Sequence, residues 1–170
     1  NVGILPGIGN GTFGAPNMYT AGRTLLSLKA GDFNGDGRTD LVTVNNSANT
    51  VTVLLGAAGG GFTAAAGNPF SVGVSPVSVA VGDLNGDGRA DFVVTNSGTN
   101  NLSVFLGNGS GGFTSSTVAV TGGPWAVAIA DVNGDGLLDL AVTQFASGQV
   151  SILLGSGTGT FSAASGSPIS

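Results

Sequence analysis

The hydrophobic positions of this chain fall into short runs with a period of two. Pro76-Val77-Ser78-Val79-Ala80-Val81-Gly82 sets bulky residues against small ones, as a β-strand with two packed faces requires. Phe92-Val93-Val94-Thr95-Asn96 is almost continuously apolar and predicts a second, more buried strand. A polar turn at 97–100 leads to a third strand, Leu102-Ser103-Val104-Phe105-Leu106, and residues 116–120 predict a fourth. The set recurs on either side. First strands are predicted at 26–30 and 125–129, second strands at 41–44 and 140–143, and third strands at 51–55 and 150–154. Sheet-on-sheet packing of both strand faces is the expected use of this pattern.

Two motifs punctuate the strands. Gly7 and Phe13 bracket a glycine-rich turn, and so do Gly56 and Phe62, Gly107 and Phe113, and Gly155 and Phe161. Between first and second strands stands D-x-N-G-D-G-x-x-D. It occurs as Asp32-Phe33-Asn34-Gly35-Asp36-Gly37-Arg38-Thr39-Asp40, again from Asp83 to Asp91, and again from Asp131 to Asp139. There are four glycine-rich turns and three aspartate loops. The chain therefore predicts strands three and four of a half unit followed by three full units, divided at 1–22, 23–73, 74–122 and 123–170 within one repeat domain.

All nine acidic residues of the chain belong to the three loops. A solvated surface scatters its acids, so this clustering points to one task. Hard cations such as Ca²⁺ take six to eight oxygen ligands, which alternate residues of a tight loop can supply. Expected ligands are Asp32, Asn34, Asp36, the Arg38 carbonyl and Asp40. In the second loop they are Asp83, Asn85, Asp87, the Arg89 carbonyl and Asp91, and in the third Asp131, Asn133, Asp135, the Leu137 carbonyl and Asp139. Glycines at loop positions four and six supply positive φ. An EF-hand would need a glutamate at position twelve, where this chain has Thr43, Val94 and Val142. Three Ca²⁺ ions would take the formal net charge from −5 to about +1, so the acidity says little about partners.

These residues resemble the FG-GAP/VCBS repeat family. Phe13-Gly14-Ala15-Pro16 matches the family's Phe-Gly and Ala-Pro tag, and the loops match its calcium loop at each ligand position. The resemblance implies an all-β chain of four-stranded antiparallel blades of β-propeller type, with the loop joining strands one and two. About three and a half repeats are too few to close a propeller, so the array is expected to stay open unless neighbouring chains complete it.

Other chemistry is thinly provided. There is no His and no Cys, which removes the usual bases, thiol nucleophiles, disulfides and thiolate metal sites. Gly107-Asn108-Gly109-Ser110-Gly111-Gly112 lacks the lysine of a phosphate loop and reads as a hairpin turn. Four basic residues are too few for nucleic acid, and no apolar run is long enough for membrane insertion. The expectation is a non-enzymatic structural or adhesive module, secreted or at the cell surface, assembling head to tail into a fibre or ring. The alternative is a propeller-type lectin binding carbohydrate or another cell-surface ligand. The repeated phenylalanines and Trp125 are expected in the core.

Overall fold

The alternating pattern is realised as strands throughout the computed structural model, which describes residues 1–170. A half-blade comes first, with β1 (Val2–Ile4) paired antiparallel to β2 (Asn17–Tyr19). The first blade has the order β3 (Leu25–Gly31), β4 (Asp40–Asn45), β5 (Thr50–Gly56), β6 (Phe62–Ala64), and β7 (Phe70–Ser71) also pairs with β5. The second blade is β8 (Pro76–Gly82), β9 (Asp91–Asn96), β10 (Asn101–Gly107) and β11 (Phe113–Ala119). The third is β12 (Pro124–Ala130), β13 (Asp139–Gln144), β14 (Gln149–Gly155) and β15 (Phe161–Ala163). All pairings are antiparallel, and apart from β7 the strands of each complete blade pair in sequence order. The sole helical element is a single 3-10 turn at Asn46–Ala48, and no helix is long and apolar enough to cross a membrane.

First strands break register once near their start, between Leu25 and Ser27, Pro76 and Val79, and Pro124 and Val127. Such bulges free a backbone N–H from the ladder. Threonine hydroxyls from the second strand accept it, Thr95 from Ser78 at 3.0 Å and Thr143 from Ala126 at 2.9 Å. Fourth strands differ between blades. β11 runs unbroken from Phe113, three residues before its expected start, along the whole of β10. The first and third blades instead turn back to pair with the start of strand three, through β7 and through the Val150–Ile169 bridge.

The core lies between blades. Because successive strand residues face opposite sides, each blade contributes to two junctions. Val42, Val44, Val51 and Val53 of the first blade meet Val79, Phe92, Val94 and Phe105 of the second. Ala80, Val93, Leu102 and Val104 of the second meet Leu140, Val142 and Leu153 of the third. The half-blade covers part of the first blade through Val2 and Ala21 against Leu41 and Leu54. First strands β3, β8 and β12 lie side by side along the array.

Two aromatic expectations need correction. Phe62, Phe113 and Phe161 are half-buried against neighbouring strands, but Phe13, on the outer side of the half-blade, is exposed. Trp125 is not in the core either. It is half-exposed and packs against exposed Phe145, with ring centroids 5.0 Å apart and planes inclined at 32°.

Candidate metal centres

Each aspartate loop hangs between a first and a second strand, so the three sit at one end of the blades. Gly35 and Gly37 take φ of +72° and +76°, and the equivalent glycines of the other loops do the same. This curls five residues around the first aspartate. Asp32 Oδ1 accepts the N–H groups of Gly35 at 2.8 Å and Asp36 at 3.2 Å, and Oδ2 accepts that of Gly37 at 2.8 Å. Asn34 Oδ1 accepts from the Asp36 amide, and Asp36 Oδ1 from the Arg38 amide. The second and third loops repeat most of the pattern: Asp83 accepts from Asp87 and Gly88, and Asp131 from Gly134 and Gly136. The carboxylates are thus turned onto backbone N–H groups, and no three acidic groups converge on a common centre.

The ninth position behaves differently from the rest. Asp40, Asp91 and Asp139 are fully buried. In each, Oδ2 accepts the N–H of loop position two: Phe33 at 2.7 Å, Leu84 at 2.8 Å and Val132 at 3.0 Å. Oδ1 accepts the N–H of the glycine ending the third strand: Gly56 at 2.7 Å, Gly107 at 2.7 Å and Gly155 at 2.8 Å. One carboxylate thereby joins the loop to a strand sixteen residues downstream. Glycine is required there by space. A Cβ on Gly107 would lie 2.5 Å from the Ala90 carbonyl oxygen, and Gly56 and Gly155 crowd the carbonyls of Thr39 and Leu138 likewise.

The charges are unevenly compensated. Arg38 pairs with Asp36 at 2.8 Å and Arg89 with Asp87 at 3.3 Å, whereas the third loop has Leu137 at that position. The Arg38 amide, with help from Asn34 and the Arg38 guanidinium, holds the Asp36 carboxyl below its usual range. The amides of Gly136 and Gly134 do the same for Asp131. Asp91 is pushed up by burial, against the opposing pull of the Gly107 and Leu84 amides.

Loop position two carries the loop into the core. Phe33 and Leu84 are 1% and 2% exposed within the junctions to the following blade, while Val132, on the uncovered face of the third blade, is 47% exposed. The Phe33 ring meets Phe92 and Phe113 edge-on at 5.8 and 5.7 Å, and its carbonyl accepts the Gly111 amide at 3.0 Å. The structure keeps the predicted ligands of each set within one loop without converging their carboxylates on a centre, and sequence reasoning missed the staple at position nine and the plug at position two. The alternation of apolar Phe33, Leu84 and Val132 inside an otherwise polar loop was the available signal for the plug.

Residues 32–94 and 83–142 match the family model described as FG-GAP-like repeat. No curated protein matches. Among solved structures, the chain is similar to a functionally unknown protein from Desulfotomaculum acetoxidans, with TM-score 0.64 and 19% identity over 89% of this chain and 44% of that one. It is also similar to a protein from Lactobacillus plantarum, with TM-score 0.56 and 18% identity over 74% of this chain and 38% of that one. The chain spans less than half the length of either.

Proposed function

Since the chain belongs to the FG-GAP-like repeat family, we propose that it is a calcium-binding structural or adhesive module that works outside the cell and associates end to end. The observation that carries the calcium reading is the concentration of all nine acidic residues in three loops of one conformation. Their donor set fits a hard cation: carboxylates, one amide oxygen and one backbone carbonyl per loop, without sulfur or nitrogen. Asp32, Asn34, Asp36, the Arg38 carbonyl and Asp40 would hold Ca²⁺, as would their equivalents. A carboxylate has about four lone-pair sites, so the two N–H groups on Asp40 leave it able to ligate as well. When bound, the ion neutralises the crowded carboxylates. The residues themselves tie the loop to the third strand and seat position two in the junction.

Terbium luminescence and calorimetry test this. Three sites are expected, falling to two in Asp87→Ala. Absence of binding at millimolar calcium, in the range of extracellular modules at about 10⁻⁴–10⁻³ M, would refute it.

The end-to-end reading rests on the last blade. Val132, Val150 and Ile169 are exposed on the face where Phe33, Val51 and Phe70 of the first blade meet the second. A second copy meeting this face head to tail would generate a fibre, or a ring where the rotation closes. Sedimentation in calcium should show association that Val132→Asp abolishes, and a monomeric parent at high concentration would overturn the reading.

Carbohydrate binding is the second reading, favoured by the adjoining and exposed Trp125–Phe145 pair. Glycan-array binding lost in Trp125→Ala is its expected signature.

A further inference from the structure

Position seven of the aspartate loop is Arg38 in the first blade, Arg89 in the second and Leu137 in the third. Arg89 and Leu137 follow the same course over the glycine-rich turn of their own blade. A Cβ added to Gly109 would lie 2.9 Å from Arg89 Nε, and one added to the equivalent Gly157 would lie 2.9 Å from Leu137 Cδ2. Only the arginines carry a charge back to position five. Arg38 Nη1 donates to Asp36 Oδ2 at 2.8 Å, and Arg89 Nη1 to Asp87 Oδ2 at 3.3 Å. The same oxygens also accept from the loop asparagines, Asn34 at 3.0 Å and Asn85 at 3.2 Å. A carboxylate oxygen has about two lone-pair sites, so both are taken. Asp135 Oδ2 accepts from Asn133 alone, at 2.8 Å, and keeps one open. Charge runs the same way. The first two loops set three carboxylates against one guanidinium, the third sets three against none, and no Lys or Arg follows Arg89 in the chain.

We propose that the position-seven guanidinium competes with calcium for the position-five carboxylate, so that arginine lowers the calcium affinity of its own loop and the third loop fills first. This rests on the calcium reading above and adds to it the residue that sets the order of filling. Two effects act together. To become a ligand, Asp36 or Asp87 must loosen a charge-assisted hydrogen bond, and a guanidinium beside the loop repels a divalent ion held in it. The Arg38 and Arg89 side chains are 47% and 52% exposed, so solvent moderates both effects. A difference of about three- to tenfold in affinity is expected. The arginines thus act as internal counter-ions, which keep two loops partly neutralised when calcium is scarce and leave the third to respond to it. Leu137 already occupies the course that Arg89 takes, so exchanging the two residue types requires no new space.

Calcium titration of the full chain, followed by NMR at the amides of Gly37, Gly88 and Gly136, tests this. Each amide donates to the position-one carboxylate of its own loop and reports on that loop. Gly136 is expected to reach half-saturation first in the parent. Arg89→Leu should lower the Gly88 midpoint about three- to tenfold and leave that of Gly136 in place, and Leu137→Arg should raise the Gly136 midpoint by a similar factor. Arg23→Leu removes the same charge from an exposed site outside the loops and should move none of the three. Raising the salt from about 0.1 to about 1 M shortens the screening length from about 10 to about 3 Å, and should narrow the gap between Arg89→Leu and the parent. A Gly88 midpoint that stays or rises in Arg89→Leu would overturn the proposal, and a gap indifferent to salt would overturn charge as its cause. Gly136 responding last would overturn the order of filling. Silence of all three amides at millimolar calcium would overturn the calcium reading and this proposal with it, whereas three responding loops without an arginine effect overturn this proposal alone.

Discussion

Asp91 Oδ1 accepts the backbone N–H of Gly107 at 2.7 Å, while its other oxygen holds the Leu84 N–H at 2.8 Å. A loop residue thus fixes the end of a strand sixteen positions away, and the same bracket appears in the other two blades. Hydrogen bonds to a charged, buried acceptor are among the stronger ones. Asp91→Ala leaves two N–H groups without their partner and is expected to destabilise by about 2–4 kcal/mol, read by urea denaturation. The loss should persist in excess chelator, because the staple joins protein to protein. A loss seen only in calcium would mean that Asp91 acts purely through the ion.

Gly107 sits where a side chain would strike the Ala90 carbonyl. Gly107→Ala must push the end of β10 away from Asp91 and is expected to cost about 1–3 kcal/mol, as overpacking does. Gly148→Ala, at a positive-φ site with open space around an added Cβ, provides a comparison governed by backbone conformation instead. Thermal melts of both, with amide exchange at Gly107, distinguish the two causes.

The third loop lacks the arginine that pairs with position five in the other two. Leu137→Arg is expected to raise Tm in chelator, where the carboxylates are otherwise uncompensated, and to change it little in saturating calcium. An equal gain in both conditions would show that the guanidinium acts through packing.

Acid sensitivity follows from the lowered pKa of Asp131. A carboxyl whose folded-state value is depressed stabilises the fold above its unfolded value, and the contribution is lost as pH falls through the folded one. The ordinary value here is 3.8. In metal-free protein, Asp131→Asn has already lost this contribution, so its stability should fall less steeply than the parent's below that pH. Asp91 has the opposite sign, since burial raises its value and protonation relieves that penalty. Asp91→Asn should not share the flattened acid limb. Denaturation midpoints measured from neutral pH downward check both.

Strand existence and order were legible in the sequence because both are local. A period of two places side chains on alternate faces whatever surrounds them, and a turn with paired glycines needs no distant partner. The loop spacing likewise placed Asp32, Asn34 and Asp36 within one curl of backbone, where positive φ at Gly35 and Gly37 depends on those residues alone. What Asp40 and Phe33 do was decided by tertiary structure. Asp40 meets Gly56 because strands two and three pair, and Phe33 is buried because a further blade lies over it. Val132 occupies the same sequence position without that neighbour and is left half in solvent. Exposure of Trp125, Leu26 and Leu28 has the same origin. Burial in a stack of sheets depends on whether another sheet is present, and identical periodicity serves a covered face and an open one alike.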